Sequence, residues 1–171
     1  MELFEVIRQR RSVRAFRSKP IAPETLEQIL QAANAAPSAG NLQAYEIYQV
    51  TNSHTRSALA RAAGDQFFLA GAPVALVFCT HAARAGRYGK RGELLYAIQD
   101  ATIACTFAML AATALGLATV WVGAFDAGEV RRVIQAPEGI DPVAILPLGY
   151  AAEDPASPGR RRLEDLVHHT A

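Results

Sequence analysis

Residues 101–125 have the sequence ATIACTFAMLAATALGLATVWVGAF and contain no charged side chain. By length alone the stretch could form a membrane helix. Gly116 interrupts it, however, and residues 118–122 have the composition of a strand. The helical part, 101–115, would reach only ~22 Å, less than the ~30 Å hydrocarbon core of a bilayer. We therefore expect a buried central helix followed by a buried strand, and no membrane partner.

The composition of the whole chain is that of one folded domain. It has 171 residues, of which 51% are hydrophobic and 19% charged. These proportions exclude a disordered chain, and the apolar excess suggests an additional buried surface such as a subunit interface. The formal net charge is +1, so no overall field would attract nucleic acid or an anionic membrane. We expect a single domain over residues 1–171.

The cysteines and histidines show no metal-binding or redox spacing. Cys79 and Cys105 lie in apolar runs without a CxxC motif, which predicts buried free thiols and suits the cytoplasm. The N-terminal residues do not have the pattern of a secretory signal. The four histidines are scattered or terminal, so we expect no metal site; they are His54, His81, His168 and His169.

Hydrophobic periodicity predicts alternating helices and strands. Helices are expected near Leu3–Ile7 and over 23–35, 54–63, 93–115 and 128–134, and strands over 45–50, 74–78, 118–122 and 143–148. A basic loop is expected at 88–92. The alternation by itself suggests a parallel α/β sheet. Dinucleotide-binding GxGxxG, phosphate-loop, GxSxG and HExxH motifs are all missing, which argues against the usual hydrolases and kinases.

The strongest local feature is the sequence RRSVR at residues 10–14. Forked guanidinium groups and a hydroxyl can converge on one phosphate, and arginine stays charged at any physiological pH. A solvated basic loop is the alternative interpretation. A further alternative is a nucleic-acid contact through the local arginines, but no aromatic side chains are interleaved with them; these are Arg8, Arg10, Arg11, Arg14 and Arg17.

Other segments accompany this cluster in a characteristic order. APSAGNLQ occupies 36–43, IQDA 98–101, GLATVWVGAF 116–125, LGY 148–150 and RRRLEDL 160–166. Together these segments resemble the nitroreductase family of flavin-dependent oxidoreductases over nearly the whole chain. The resemblance implies an α+β fold with a central mixed or antiparallel sheet flanked by helices. It also implies an intertwined homodimer with a long interface helix, and a C-terminal extension, 153–171, that embraces the partner.

In such a dimer one FMN would lie in each of two clefts between the subunits. Arg10, Ser12 and Arg14 resemble the family's phosphate and ribityl contacts, with Arg11 acting through its backbone and Arg160 or Arg162 completing the clamp. The segment reaching the flavin from the other subunit corresponds to Pro37, Ser38, Ala39 and Asn41, although Asn41 could equally be a turn residue. The flavin ring would meet Val122, Gly123 and Ala124, with Gln66 at its pyrimidine edge. We expect Trp121 to belong to the core rather than to the cofactor site.

The resemblance implies an enzyme that takes hydride from NADH or NADPH and passes the electrons to a nitroaromatic, quinone or similar small acceptor by a ping-pong mechanism. The short loop 80–92 would leave the pocket more open than in many relatives. Two alternatives are specialised chemistry on the same fold, namely dehalogenation or flavin fragmentation, and a non-catalytic FMN carrier. We expect a cytoplasmic homodimer.

Overall fold

The computed structural model describes residues 1–170. Its helices are α1 (Leu3–Gln9), α2 (Pro23–Asn34), α3 (Ser53–Ala62), α4 (Phe68–Gly71), α5 (Gly89–Arg91), α6 (Ala97–Ala114) and α7 (Ala127–Val133). Its strands are β1 (Tyr45–Val50), β2 (Val74–His81), β3 (Ala118–Thr119) and β4 (Ile140–Gly149). Tight 3-10 turns occupy Ala39–Asn41, Ala82–Tyr88 and Leu163–Asp165, and a π-helical turn at Gly92–Tyr96 leads into α6.

The four strands form one sheet in the order β1-β2-β4-β3. Each neighbouring pair is antiparallel. The parallel sheet that alternation alone suggested is therefore wrong, whereas the α+β architecture implied by the family resemblance is confirmed. Alternation fixes the order of elements along the chain but not the direction in which a returning strand pairs, and the connections here are long enough for either direction.

Both faces of the sheet are buried, and successive side chains of β2 point to opposite faces. Leu76 and Phe78 pack with α2 and α6 in one core cluster. Val77 and Cys79 pack with residues of α3 and α7 in the other cluster. A strand that is covered on both sides needs apolar residues at every position, which explains the uninterrupted run in the sequence.

Helix α6 is the central helix expected from the charge-free stretch. Its buried side consists mainly of small residues, and small side chains let the helix approach its neighbours closely. This side includes Ala97, Ala101, Ala104, Cys105, Ala108 and Ala112. The helical segment 82–114 is long and apolar enough to cross a membrane, with a mean hydropathy of 1.5. Here α6 packs against α2, β2 and β4, which accounts for its apolar residues within a folded domain.

Two local predictions differ from the structure. The basic segment 88–92 forms short helical turns rather than a loop. Gly92 permits their close packing, because the Ala85 carbonyl occupies the place that a Cβ would take. The strand expected at 118–122 is paired only at Ala118 and Thr119, after which Val122 makes a single bridge to Ile145. Bulky Val120 is still buried in the core, so the strand-like composition reflects burial more than ladder pairing.

Candidate functional site

An arginine-lined cavity of about 420 Å³ lies between the end of α1 and the C-terminal segment. We call it the arginine cradle. Its polar lining consists of Arg10, Arg11, Ser12, Arg14 and Arg160, and Pro155, Ala156 and Pro158 complete the wall. Among residues 1–170 no carboxylate side chain lines it. Several guanidinium groups and a hydroxyl that line one cavity are the donor set that a phosphate group requires.

Backbone pairing holds the cradle in place. The Val13 amide donates to the Thr119 carbonyl at 3.0 Å, and Ser12 bridges to Thr119 at the edge of the sheet. On the other side, the Glu153 carboxylate accepts hydrogen bonds from the amides of Arg14 and Ala15. The segment that carries the arginines is thus fixed between β3 and the chain that follows β4.

The arginines of this region differ in what their side chains contact. The Arg11 guanidinium donates to the carbonyls of Arg8 and Arg10 at the end of α1, which directs it toward the protein's own backbone. Arg160 lines the cradle, whereas Arg162 lies outside it and pairs with Glu164 at 2.8 Å. Of the two tail arginines, Arg160 is therefore the one that the structure brings beside Arg10 and Arg14.

A second cavity, of about 590 Å³, is lined by Pro37, Ser38 and Ala39 and by residues of the π-helical turn and α6. The loop 37–43 that forms its rim is tightly folded. Gly40 and Asn41 both adopt positive φ angles, 56° and 57°. The Ser38 hydroxyl accepts a hydrogen bond from the Gln43 amide at 3.0 Å. Asn41 therefore acts as a turn residue in this chain, and its contact with a cofactor stays a prediction.

Asp100 anchors this loop from the first turn of α6. Asp100 is only 2% exposed, and its two carboxylate oxygens accept hydrogen bonds from the amides of Ala39 at 2.9 Å and Ala44 at 3.1 Å. Asp100 belongs to the IQDA segment, 98–101, whose sequence does not by itself predict this anchoring role. The available signal was an acidic residue entering an otherwise uncharged helix, because a buried carboxylate requires donors close by.

A third group gathers at the end of the strand-like segment. The Gln66 side-chain amide donates to the carbonyls of Ala63 at 2.7 Å and Ala124 at 3.0 Å. Gly123 lies against the Trp121 indole, where an added Cβ would come within 3.0 Å of Nε1. Trp121 itself packs against the core, as expected. Gln66, Gly123 and Ala124 are thus neighbours, although they are distant in sequence.

Burial shifts the pKa of several side chains away from these cavities. It raises the pKa of the Cys79 thiol to about 12 and also raises the pKa of Cys105. The Tyr45 hydroxyl donates to the Ala33 carbonyl at 3.2 Å. Burial raises the pKa of Tyr45. Both cysteines are free and buried, so they lack the thiolate character that reactive cysteines need. Among residues 1–170 no three His, Cys, Asp or Glu side chains form a metal-binding group.

Comparison with known proteins gives one consistent result. The model of the nitroreductase family matches residues 7–68 and 59–150. The FMN reductase (NAD(P)H) of Bacillus subtilis is 30% identical over 182 residues, which cover 98% of this chain and 73% of that protein.

Solved structures agree with the sequence comparison. Nitroreductase A of Vibrio parahaemolyticus has a TM-score of 0.91 and 31% identity, and the match covers 100% of this chain and 76% of that one. The NADPH:FMN oxidoreductase of Vibrio harveyi, solved in complex with NAD+, has a TM-score of 0.91 and 30% identity, with 99% and 77% covered. A fold and a sequence shared over this length establish that the chain belongs to the nitroreductase family.

Proposed function

We propose that this protein is an FMN-dependent oxidoreductase that takes hydride from NADH or NADPH and reduces a nitroaromatic, quinone or similar small acceptor. The arginine cradle is the observation that carries the proposal. Its arginine and serine donors fit a phosphate ester and are fixed to the rest of the domain by backbone hydrogen bonds. Membership of a family whose members include an FMN reductase of Bacillus subtilis identifies FMN as the phosphate ester.

Different residues would bind different parts of FMN. Arg10, Ser12, Arg14 and Arg160 hold the phosphate, and the half-buried Gln66 with Gly123 and Ala124 offers backbone and amide groups to the ring. Arg162 remains a second candidate for the phosphate from the tail of a partner subunit. Loop 37–41 reaches the cofactor of the other subunit, so each complete site needs two chains.

Exposed apolar side chains support a homodimer. On α1, Leu3, Phe4 and Ile7 are exposed, and along the π-helical turn and α6 Leu94 and Phe107 are exposed as well. Large apolar side chains clustered on a surface mark an interaction site. Segment 153–170 is almost entirely exposed, and the part of it beyond the cradle suits a segment that wraps around a second subunit. The whole chain, 1–171, is one domain of this dimer, which we place in the cytoplasm.

Bound FMN would supply the redox chemistry, accepting hydride and releasing electrons to the acceptor. The chain's task is to bind and orient it. No side chain of the cradle or of the Gln66 group is a carboxylic acid or a histidine positioned for proton transfer. Arg14 and Arg160 instead place positive charge beside the negatively charged cofactor.

A kinetic experiment tests this function. The FMN-loaded protein is assayed with varied NADPH at several fixed concentrations of a nitroaromatic or quinone. One site that serves donor and acceptor in turn predicts parallel double-reciprocal lines. Intersecting lines would contradict the ping-pong sequence, and absence of turnover with every acceptor class would contradict the oxidoreductase function.

A further inference from the structure

The segment 82–96, which we call the basic excursion, concentrates positive charge. It contains four of the 17 Lys and Arg residues and one of the 16 acidic residues, although the whole chain carries only +1. The four cations, Arg84, Arg87, Lys90 and Arg91, are all exposed. Outside this segment the chain is therefore slightly negative, and the excursion is a local site of positive potential.

Tyrosines rather than carboxylates contact two of these cations, Arg87 and Arg91. The Arg87 guanidinium lies 4.8 Å from the centre of the Tyr88 ring and donates to the Tyr88 hydroxyl at 3.0 Å. Arg91 donates to the Tyr96 hydroxyl at 3.1 Å. The two rings meet edge to face at 5.5 Å. Within residues 1–170 none of the four cations has an acidic partner at ion-pair distance. The guanidinium groups of Arg87 and Arg91 are thus oriented by tyrosines, and no salt bridge among the described residues neutralises them.

The basic excursion borders the loop that the proposed function places at the cofactor. Arg84 donates to the Leu42 carbonyl at 3.2 Å. The Tyr88 hydroxyl and the Arg87 guanidinium lie directly over Gly40. Tyr96 lines the 590 Å³ cavity together with Ser38 and Ala39. An anion bound by these cations would therefore lie at the edge of the proposed flavin cleft.

We infer that the basic excursion binds the 2′-phosphate of NADPH and gives the enzyme a preference for NADPH over NADH. The inference rests on the proposed function. The FMN phosphate has its own site, because the cradle shares no residue with the excursion. NADPH differs from NADH by one phosphate monoester. Its negative charge and its oxygen atoms can accept charge-assisted hydrogen bonds from arginines that have no acidic partner. Arg87 and Arg91, oriented by their tyrosines, are the specificity-determining residues.

Direct binding tests the phosphate site without turnover. Adenosine 2′,5′-bisphosphate and 5′-AMP are titrated by calorimetry into the FMN-loaded protein and into the double variant Arg87→Gln, Arg91→Gln. Loss of charge-assisted hydrogen bonds corresponds to about tenfold or more in affinity. The bisphosphate should bind the unsubstituted protein at least that much more tightly than 5′-AMP, and the double variant should lose the difference. Equal binding of both nucleotides to the unsubstituted protein would overturn the inference.

Kinetics provide the second test. The ratio of kcat/KM for NADPH to that for NADH should fall about tenfold or more in the double variant. Arg132→Gln is the matched control, since Arg132 is an exposed arginine paired with Glu129 on α7, and its ratio should not change. A ratio that is unaltered in the double variant overturns the inference. Protein that binds the bisphosphate but is reduced by neither donor contradicts the proposed function instead.

Discussion

The buried Asp100 carboxylate accepts a hydrogen bond from the Ala39 amide across 2.9 Å, which joins two elements 61 positions apart in the chain. Its second oxygen accepts from the Ala44 amide at 3.1 Å. One side chain at the start of α6 thus fixes both ends of the loop that would reach the flavin. Asp100 is a positioning residue for that loop.

Replacing Asp100 with asparagine should weaken both the fold and cofactor binding. The asparagine side chain has one oxygen and one NH2 group, so its NH2 would face one of the two backbone amides, Ala39 or Ala44, that now donate to Asp100. Leaving a buried backbone amide without an acceptor costs about 1–3 kcal/mol. We expect the free energy of unfolding, measured in urea, to fall by that amount and the Kd for FMN to rise.

Glu138→Gln is the control for this change. Glu138 is an exposed carboxylate distant in sequence from the loop, so its replacement should leave both measurements unchanged within about 0.5 kcal/mol. An Asp100→Asn protein with unaltered stability and unaltered FMN affinity would show that the two hydrogen bonds do not position the loop.

The arginine cradle predicts how individual arginines affect FMN retention. Arg14→Ala removes a guanidinium from the cavity, and a lost hydrogen bond to a charged group corresponds to about 10- to 100-fold in Kd. Fluorescence titration with FMN measures this. Arg17→Ala, three positions further along and outside the cavity, should bind FMN like the unsubstituted protein. Equal Kd values for the two variants would refute the cradle assignment.

Gly92 provides a test of the basic excursion's conformation. A Cβ at this position would overlap the Ala85 carbonyl and lie 2.9 Å from the Tyr88 Cβ. Gly92→Ala should therefore destabilise the protein by about 1–3 kcal/mol, as overpacking does in buried sites. An added Cβ at Gly71 meets nothing within 4 Å, so Gly71→Ala should be neutral or slightly stabilising. Similar melting temperatures for both variants would mean that the excursion has another conformation.

The buried thiols predict a loss of stability in alkali. In the folded protein the pKa of Cys79 is about 12, raised from 9.0 by burial, and burial raises that of Cys105 too. Above pH 9 the unfolded chain releases these protons while the folded protein retains them. The free energy of unfolding should therefore decrease, by up to ~1.4 kcal/mol per pH unit for each thiol.

Urea denaturation at pH 8, 9 and 10 measures this slope. The double variant Cys79→Ala, Cys105→Ala should show a smaller decrease above pH 9, whatever its stability at pH 8. An identical slope in the variant would exclude the thiols as the cause. Native protein should also leave a thiol reagent unreacted until it unfolds, because both cysteines are buried.

Strong periodic patterns allowed most elements to be predicted from the sequence. The helix expected at 23–35 is α2, and the strand expected at 45–50 coincides with β1. Strand direction was not predictable from the same patterns, because it depends on long-range pairing such as that of β2 with β4. The helical turns at 88–92 were also missed, since glycine next to basic residues usually indicates a loop, and the close contact of Ala85 with Gly92 is formed only in the folded chain.

The site was partly predictable for a related reason. The run at 10–14 is local in sequence, and its arginines do share a cavity. Its connection to Arg160 and its anchoring by Glu153 depend on how the chain returns after β4, which no local pattern encodes. Asp100 was missed as a loop anchor because its two donors, the amides of Ala39 and Ala44, are backbone groups far along the chain.

The most direct test of the proposed function is an anaerobic visible spectrum of the FMN-loaded protein before and after addition of NADPH and then of NADH. The account predicts an oxidised flavin spectrum that bleaches with a nicotinamide donor, more readily with NADPH, and recovers when a nitroaromatic or quinone is added. Protein that takes up no FMN, or whose flavin stays oxidised with both donors, would contradict it.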